Sequence, residues 1–226
     1  MSSPEPAARA AENGEIFLGE IREQPEALLR LLEHEREYAA LARAIDERAP
    51  ALIRLVGHGS SDNAATYGVY AFGLIPRLTA ARDSISLTVY YDAEVDFSTS
   101  VVLALSQSGQ TPDVVDYVER ARRRGALTVA ITNDEQTDLG RAAEVTLPLA
   151  AGPERAVAAT KTYMNQLAAL VLLAACVAGR GREFADALRR TAELLSETLS
   201  PLEARTRPIA TSFAYVGRMY VIGRGL

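Results

Sequence analysis

Three hydroxyl side chains and a glycine lie close together between positions 106 and 111, where the sequence reads S-Q-S-G-Q-T. An apolar run, Val101–Leu105, precedes them. Thr111-Pro112 ends the segment, as is typical of a helix that starts with a hydroxyl N-cap and a proline. Such a strand, turn and helix N-terminus favour anion binding, because free N–H groups and the positive end of the helix dipole point at one place. The pattern predicts a sugar-phosphate pocket, with an ordinary strand-to-helix turn as the alternative.

Two more segments carry motifs rich in small and hydroxyl residues. Gly57–Ala64 reads G-H-G-S-S-D-N-A, and Ala151–Lys161 reads A-G-P-E-R-A-V-A-A-T-K. With the L-S-Q-S-G-Q-T of Leu105–Thr111 between them, they resemble three motifs of the SIS (sugar isomerase) domain family in the family's order. Those motifs are G-x-G-T-S-x-x-A, L-S-Q-S-G-E-T and A-G-x-E-x-x-V-A-S-T-K. Within that family, the chain resembles the first SIS lobe of the glucosamine-6-phosphate synthase isomerase domain and of related phosphosugar deaminases and aminotransferases.

The resemblance implies which residues bind the sugar phosphate. The implied contacts are Gly59, Ser60, Ser61, Ser106, Gln107, Ser108, Thr111 and Val157, with Ala159, Glu154 and Lys161 as further candidates. Val157 and Ala159 would act mainly through backbone atoms, and alanine stands at position 159 where the family usually has serine. Lys161 is the only lysine of the chain, and both a role beside the ligand and a role in stabilising the motif are open.

The resemblance assigns catalysis to residues that are not found here. In the family, the glutamate and histidine of ring opening and isomerisation come from a second lobe, and the histidine comes from a neighbouring subunit. We therefore assign no catalytic residue and expect no cofactor. We also expect no metal, because two histidines and one cysteine do not make a zinc site.

Strands that alternate with helices predict the fold class. The apolar runs indicate an α/β fold, with a five-stranded parallel sheet covered by helices on both faces in a flavodoxin-like three-layer sandwich. Ligands on such sheets lie outside the carboxyl ends of the strands, so turns 57–61 and 106–111 are expected to face one pocket. The predicted strands are Ala51–Val56, Ile85–Tyr91, Val101–Leu105, Ala126–Thr132 and Glu144–Leu147.

Helical spacing of apolar residues predicts the remaining elements. Two N-terminal helices, 15–23 and 26–47, would be separated at Gln24-Pro25, and the segment from Glu15 to Pro25 resembles the family's E-I-x-E-Q-P lead-in. Later helices are predicted at Asp62–Leu74, Asp113–Arg124, Thr137–Ala142, Thr160–Ala178, Arg182–Arg205 and Pro208–Val216.

The elements divide the chain into five parts. We expect a disordered tail at 1–14, an N-terminal helical lead-in at 15–48, the SIS domain at 49–180 and a helical linker at 181–217. Residues 218–226 repeat the strand and G-x-G of Ile53–Ser60, which predicts the first strand of a truncated second SIS lobe.

Composition narrows the class of protein. The chain has 226 residues, a net charge of -5 and 48% hydrophobic residues, which is enough for one sizeable core. The acidic balance argues against nucleic-acid binding, and the Ala-rich run Leu167–Ala178 is too short to span a membrane. The single Cys176 fits a cytoplasmic location. Apolar surface expected on the terminal strand and on Leu167–Ala178 favours a homodimer.

These observations lead to three hypotheses about function. The first is the phosphosugar-binding lobe of a double-SIS enzyme of amino-sugar metabolism, inactive alone. It would bind a phosphorylated hexose or amino-hexose, fructose 6-phosphate or glucosamine 6-phosphate, for an aminotransferase, isomerase or deaminase. The second is a sugar-phosphate-sensing module without catalysis. The third is a single-lobe phosphosugar isomerase that uses His58 with Glu94 or Glu154 as acid and base.

Overall fold

A five-stranded parallel sheet forms the centre of the computed structural model, which describes residues 6–213 and 215–221, with side chains from residue 14 onwards. The strand order is β2-β1-β3-β4-β5, so the chain enters at β1, moves to one margin and then returns past β1. The direction of winding therefore reverses between β1 and β3. The strands are β1 Leu52–Val56, β2 Ala80–Arg82, β3 Ser100–Leu105, β4 Leu127–Thr132 and β5 Val145–Pro148.

Helices cover both faces of this sheet, as the α/β prediction requires. One layer contains α2, α3, α4 and α8, with α9 packed outside it, and the other contains α5, α6 and α7. The helices in chain order are α1 Pro6–Arg22, α2 Gln24–Leu32, α3 Glu35–Arg48, α4 Ser60–Leu74, α5 Ile85–Val89, α6 Pro112–Arg123, α7 Asp138–Ala142, α8 Lys161–Val177 and α9 Gly181–Phe213.

The central strand β3 joins the two cores of the domain. All six of its residues are buried, and they alternate between the two helical layers. Val101, Leu103 and Leu105 pack against the layer that contains α4 and α8, whereas Val102 and Ala104 pack against the layer that contains α6. A strand buried on both faces needs a continuous apolar run, which is why this strand was predicted within one residue of its observed bounds.

One buried tyrosine anchors each layer. Tyr38 of α3 and Tyr117 of α6 have no exposed area. Burial raises the pKa of both phenols, and the hydrogen bond that Tyr117 donates to Asp83 at 2.6 Å raises its pKa further.

The predicted strand Ile85–Tyr91 was wrong. Residues 85–89 form α5, and the edge strand is the three-residue β2, Ala80–Arg82, which lies earlier in the chain. Ile85 and Thr88 are the buried residues of α5, and their spacing of three is that of a helix, while Leu87 is about half exposed. The alternation of apolar and hydroxyl residues in this segment was therefore coincidental.

Several helix bounds also differ from the predictions. Helix α1 begins at Pro6, so residues 6–14 of the predicted disordered tail are helical, while residues 1–5 lie outside the described residues. The predicted helix 26–47 is two helices, interrupted at Glu33 and His34. The predicted helices 182–205 and 208–216 are one helix, α9, which contains Pro201 and Pro208. Both prolines lie in an exposed stretch, where water can bind the carbonyl groups that proline leaves unbonded.

The Ala-rich run near residue 170 lies in α8, within the predicted helix Thr160–Ala178, and it belongs to the core. Residues 168–170 and 172–175 of α8 are buried between α3, α4 and α9, so this run does not expose the apolar surface that was expected to favour a dimer.

Among residues 6–213 and 215–221, no helix combines the length and the apolar character needed to cross a membrane. Residues 218–221 are exposed and outside any strand, and the rest of the predicted terminal strand, 222–226, lies outside the described residues.

Candidate functional site

The turns after β1 and β3 leave neighbouring strands at the same edge of the sheet. Val56 pairs with Ala104 in parallel register, so Gly57 and Leu105 lie side by side where the two strands end. A Cβ atom on Gly57 would lie 3.0 Å from the carbonyl oxygen of Leu105 and 2.9 Å from Cβ of Ser61. Glycine therefore lets the two turns approach each other closely. They meet where the winding reverses, which is the usual ligand position in such sheets.

The second turn is organised by Ser106. Its side chain is buried, and its Oγ accepts a hydrogen bond from the backbone N–H of Gly109 at 3.1 Å and lies 3.2 Å from Oγ1 of Thr111. Gly109 has a φ of 61° and packs against Thr137, and its carbonyl accepts from the N–H of Leu139 at 3.0 Å. The turn thus rests on α7 and brings the hydroxyls of Ser106 and Thr111 together.

The outer part of this turn is open to solvent. Ser108 is exposed, and its Oγ accepts from the backbone N–H of Gln110 at 3.3 Å. Gln107 is partly buried, and its carbonyl accepts from the N–H of Asn133 at 3.4 Å. These contacts leave the side chain of Gln107 and the hydroxyl hydrogen of Ser108 available for a ligand.

Thr111 lies at the N-cap position of α6, but its side chain does not cap the helix. The predicted hydroxyl cap was therefore wrong, because the Thr111 hydroxyl lies beside Ser106 instead. The backbone N–H of Val114, in the first turn of α6, points to Oδ1 of Asp113 at 3.0 Å.

The first turn directs Ser61 inward and leaves Ser60 in solvent. Gly59 is the N-cap of α4, and neither Ser60 nor Ser61 caps the helix through its side chain. Ser61 is buried, and its Oγ accepts a hydrogen bond from Nε2 of Gln166 at 2.9 Å. Within the described part of the chain, Oε1 of Gln166 has no hydrogen-bond partner. The Ser61 hydroxyl therefore already belongs to a buried contact with α8.

The third motif forms a loop without helix or strand between Leu149 and Thr160. Val157 is 100% exposed, and Ala159 is partly buried. Oε1 of Glu154 accepts from the N–H of Thr160 at 2.9 Å and from the N–H of Thr162 at 3.2 Å, so this carboxylate occupies the N-terminus of α8. Glu154 thereby stabilises the start of a helix, as acidic groups do at this end of the dipole.

Lys161 stabilises the motif from inside the protein. Its side chain is 2% exposed, and its Nζ forms an ion pair with Oε2 of Glu23, which lies between α1 and α2. Of the two roles left open by the sequence, this geometry supports the stabilising one. The structure thus brings the β1 and β3 turns together and places Lys161 beneath the surface.

Sequence reasoning missed three residues that shape this edge. Gln166 holds Ser61, Glu20 holds the loop after β5, and Asn133 binds Gly152 and Ala151 through its amide at 2.7 and 2.9 Å. Gln166 carried a signal, because it is a polar side chain in an otherwise Ala- and Leu-rich helix. Glu20 carried a signal too, because residues 20–25 read E-I-R-E-Q-P and match the lead-in motif, whereas the role of Asn133 depends on contacts across the chain, which spacing does not reveal.

Comparisons with known proteins agree with this geometry. The SIS domain family model matches residues 50–176, which is more than half of the chain. The chain belongs to the SIS domain family. Residues 50–176 contain the sheet, the turns after β1 and β3 and most of α8, so the match corresponds to a single SIS lobe.

Two relatives show which branch of the SIS family is similar. The chain is 36% identical over 233 residues to the glutamine–fructose-6-phosphate aminotransferase (isomerizing) of Aeropyrum pernix, across 99% of this chain and 37% of that protein. It is 37% identical to the enzyme of the same name from a strain of Thermus thermophilus, across 83% of this chain and 32% of that protein. The chain therefore spans about a third of the length of these relatives.

Solved structures share the SIS architecture. A protein from Silicibacter pomeroyi DSS-3, provisionally described as a phosphosugar isomerase, is 38% identical with a TM-score of 0.73, over 82% of this chain and 56% of that one. The C-terminal domain of glucosamine-fructose-6-phosphate aminotransferase from Francisella tularensis has a TM-score of 0.72 over 88% of this chain and 59% of that one. At 23% identity, the second comparison shows the fold alone.

Proposed function

We propose that the chain is the phosphosugar-binding lobe of a double-SIS enzyme of amino-sugar metabolism. The observation that carries this proposal is the meeting of the two hydroxyl-bearing turns beside Gly57, at the reversal of winding in the sheet. The similarity to glutamine–fructose-6-phosphate aminotransferases supports fructose 6-phosphate or glucosamine 6-phosphate as the ligand. Ser106, Ser108 and Thr111 would donate to the phosphate together with the N-termini of α4 and α6.

The binding groups of this site are uncharged, so the lobe would hold its ligand without performing the reaction. Proton transfer between C1 and C2 of the sugar needs an acid–base pair next to the carbon atoms. In the single-lobe isomerase hypothesis, that pair would be His58 with Glu94 or Glu154. Both oxygens of Glu154 are already engaged at the start of α8, and Glu94 is exposed to solvent. We therefore expect no turnover by this chain alone.

Isothermal titration with fructose 6-phosphate and glucosamine 6-phosphate tests the binding site. We expect Ser108→Ala with Thr111→Ala to weaken binding by at least about tenfold, because a hydrogen bond to a charged group contributes roughly 1.5–3 kcal/mol. The matched control is Ser98→Ala with Thr99→Ala. It also removes one serine and one threonine hydroxyl, but at the amino end of β3, away from the proposed site. Absence of binding by the wild type, or wild-type binding by the first variant, would remove the proposal.

Two further parts of the proposal concern assembly and location. We propose a homodimer, supported by apolar side chains exposed along α9, namely Leu194, Leu202, Ile209 and Phe213. Light scattering of the eluting protein would show twice the chain mass, and a strictly monomeric mass would contradict it.

We also propose a cytoplasmic location, which the half-buried free thiol of Cys176 supports. Its test is the fractionation of cells that express the tagged protein.

A further inference from the structure

Glu20 is a buried carboxylate that the proposed function has not used. Its side chain is 5% exposed, and a glutamate is almost never buried unless its charge has partners. The partners lie 135 residues further along the chain, in the loop between β5 and α8. One oxygen, Oε1, accepts from the backbone N–H of Arg155, and Oε2 accepts from the N–H of Ala156 at 3.2 Å.

Both ends of the loop that Glu20 holds are joined to the two turns through their neighbours. At its start, the N–H of Leu149 donates to the carbonyl of Thr132 at 2.8 Å, and Asn133 binds the carbonyl of Gly152 through its side chain and the carbonyl of Gln107 through its backbone N–H. At its end, α8 packs against α4, and Gln166 of α8 binds Ser61 of the first turn. The ends of the loop are therefore fixed to the elements that carry the proposed site.

Few other contacts give this loop its shape beyond residue 154. Val157 and Ala158 are exposed, and the stretch contains neither helix nor strand. A loop of this kind loses conformational freedom when it closes on a ligand, and that loss weakens binding unless the loop is already ordered. Two charge-assisted hydrogen bonds from a buried carboxylate are suited to ordering it in advance.

We infer that Glu20 is a positioning residue for the sugar end of the ligand, so that α1, which lies outside the SIS family match, is part of the binding site. The inference rests on the proposed function. Glu20 fixes the backbone at Arg155 and Ala156 and thereby places residues 157–159 against the sugar, while the β1 and β3 turns bind the phosphate. Three residues further on, the Glu23–Lys161 ion pair holds the start of α8 to the same N-terminal segment.

Glu20→Gln tests this role with little change in shape. The amide has one acceptor oxygen, and its NH2 group would face a backbone N–H, so one of the two hydrogen bonds is lost. Stability should change little, because Arg155 is exposed and Ala156 is only partly buried, and water can therefore bind the released amide. Glu26→Gln is the matched control, since it removes the same charge from an exposed position in the first turn of α2.

Three measurements separate positioning from general damage. We expect Glu20→Gln to bind fructose 6-phosphate about tenfold more weakly. Binding of inorganic phosphate, followed by the NMR shifts of amides 106–111, should stay within about twofold of the wild type, because the turns do not touch Glu20. In the wild type, the amides of Arg155 and Ala156 should exchange hydrogen more slowly than those of Val157 and Ala158, and Glu20→Gln should remove that difference.

The outcomes distinguish this inference from the proposed function. If the wild type binds fructose 6-phosphate and Glu20→Gln binds it equally well, the positioning role is overturned and the proposed function stands. If Glu20→Gln loses phosphate binding as well, the effect is not specific to the sugar and the inference is overturned. If the wild type binds no sugar phosphate, both are overturned.

Discussion

Nε2 of His58 lies 2.7 Å from Oδ2 of Asp113, so one hydrogen bond joins the turn after β1 to the first turn of α6. The hydroxyl of Tyr90 donates to the same carboxylate oxygen at 3.4 Å. These three side chains border a cavity of about 230 Å³ beside the proposed phosphate site. Asp113, whose charge would oppose a nearby phosphate, thus has two side-chain partners at Oδ2 in addition to the backbone N–H of Val114 at Oδ1.

Loss of the His58 hydrogen bond should weaken the connection between the turn after β1 and the start of α6. We expect His58→Ala to weaken fructose 6-phosphate binding by roughly threefold to tenfold, because one hydrogen bond contributes about 0.5–1.5 kcal/mol. Tyr90→Phe removes the longer contact to the same oxygen and should have a smaller effect. Titration calorimetry of both variants measures this, and a larger loss in Tyr90→Phe would contradict the order.

Gly109 should not tolerate a side chain. A Cβ atom there would lie 2.2 Å from Oγ1 of Thr137, and its φ of 61° disfavours other residues. Gly109→Ala should therefore lower the free energy of unfolding by about 2 kcal/mol or more. Gly73 lies in α4 with open space where a Cβ atom would be, so Gly73→Ala should raise the free energy of unfolding by about 0.5–1 kcal/mol. Urea unfolding compares the two, and equal effects would show that the turn adapts.

The Glu23–Lys161 pair should respond asymmetrically to mutation. Lys161 is buried and Glu23 is half exposed, so Glu23→Ala leaves an ammonium group without partner or water and should cost about 3 kcal/mol of unfolding free energy. Lys161→Met leaves only a carboxylate that water can reach, and it should cost less than about 1 kcal/mol. The double variant should resemble Lys161→Met. A double-mutant cycle by urea unfolding measures the coupling energy, and strictly additive losses of unfolding free energy would contradict the prediction.

The protein should lose stability in alkali. Tyr38 and Tyr117 have folded-state pKa values raised by burial, so above about pH 10 the unfolded chain releases protons that the folded chain retains. The free energy of unfolding then falls by about 1.4 kcal/mol per pH unit for each such group, whereas at lower pH the two phenols contribute no dependence. Tyr117→Phe should make the fall shallower in urea unfolding at increasing pH. The exposed Tyr91→Phe should leave it unchanged, and an equal change in both would contradict the assignment.

The fold could largely be predicted from the sequence because its central strands are buried on both faces. Strand β3 is apolar from Val101 to Leu105, and β4 is apolar except for Thr128 and Thr132; short runs of this kind between turns favour buried strands over helices. The edge strand β2 has only three residues and pairs only with β1, so it needs little hydrophobic signal, and α5 was mistaken for it. Pro208 was interpreted as the start of a new helix, but α9 continues through Pro201 and Pro208, because an exposed helix tolerates the loss of the hydrogen bonds that proline cannot make.

The site could be predicted in position but not in its internal contacts. Parallel strands end at one edge, so the meeting of residues 57–61 with residues 106–111 follows from topology alone. Whether Thr111 caps α6 or lies beside Ser106 is a choice between two nearby hydrogen bonds, and the sequence contains nothing that decides it. Glu20 shows the same limit at longer range, because its partners are backbone amides, which have no sequence signature.

Asn165 and Gln166, adjacent on α8, each keep a buried acceptor oxygen without a donor among the described residues. A buried acceptor without a donor lowers stability, so attempts to make the domain more thermostable would include apolar substitutions at position 166. Such substitutions would remove the hydrogen bond from Gln166 to Ser61. In this lobe, a gain in thermal stability at Gln166 would therefore come at the expense of the turn that recognises the ligand.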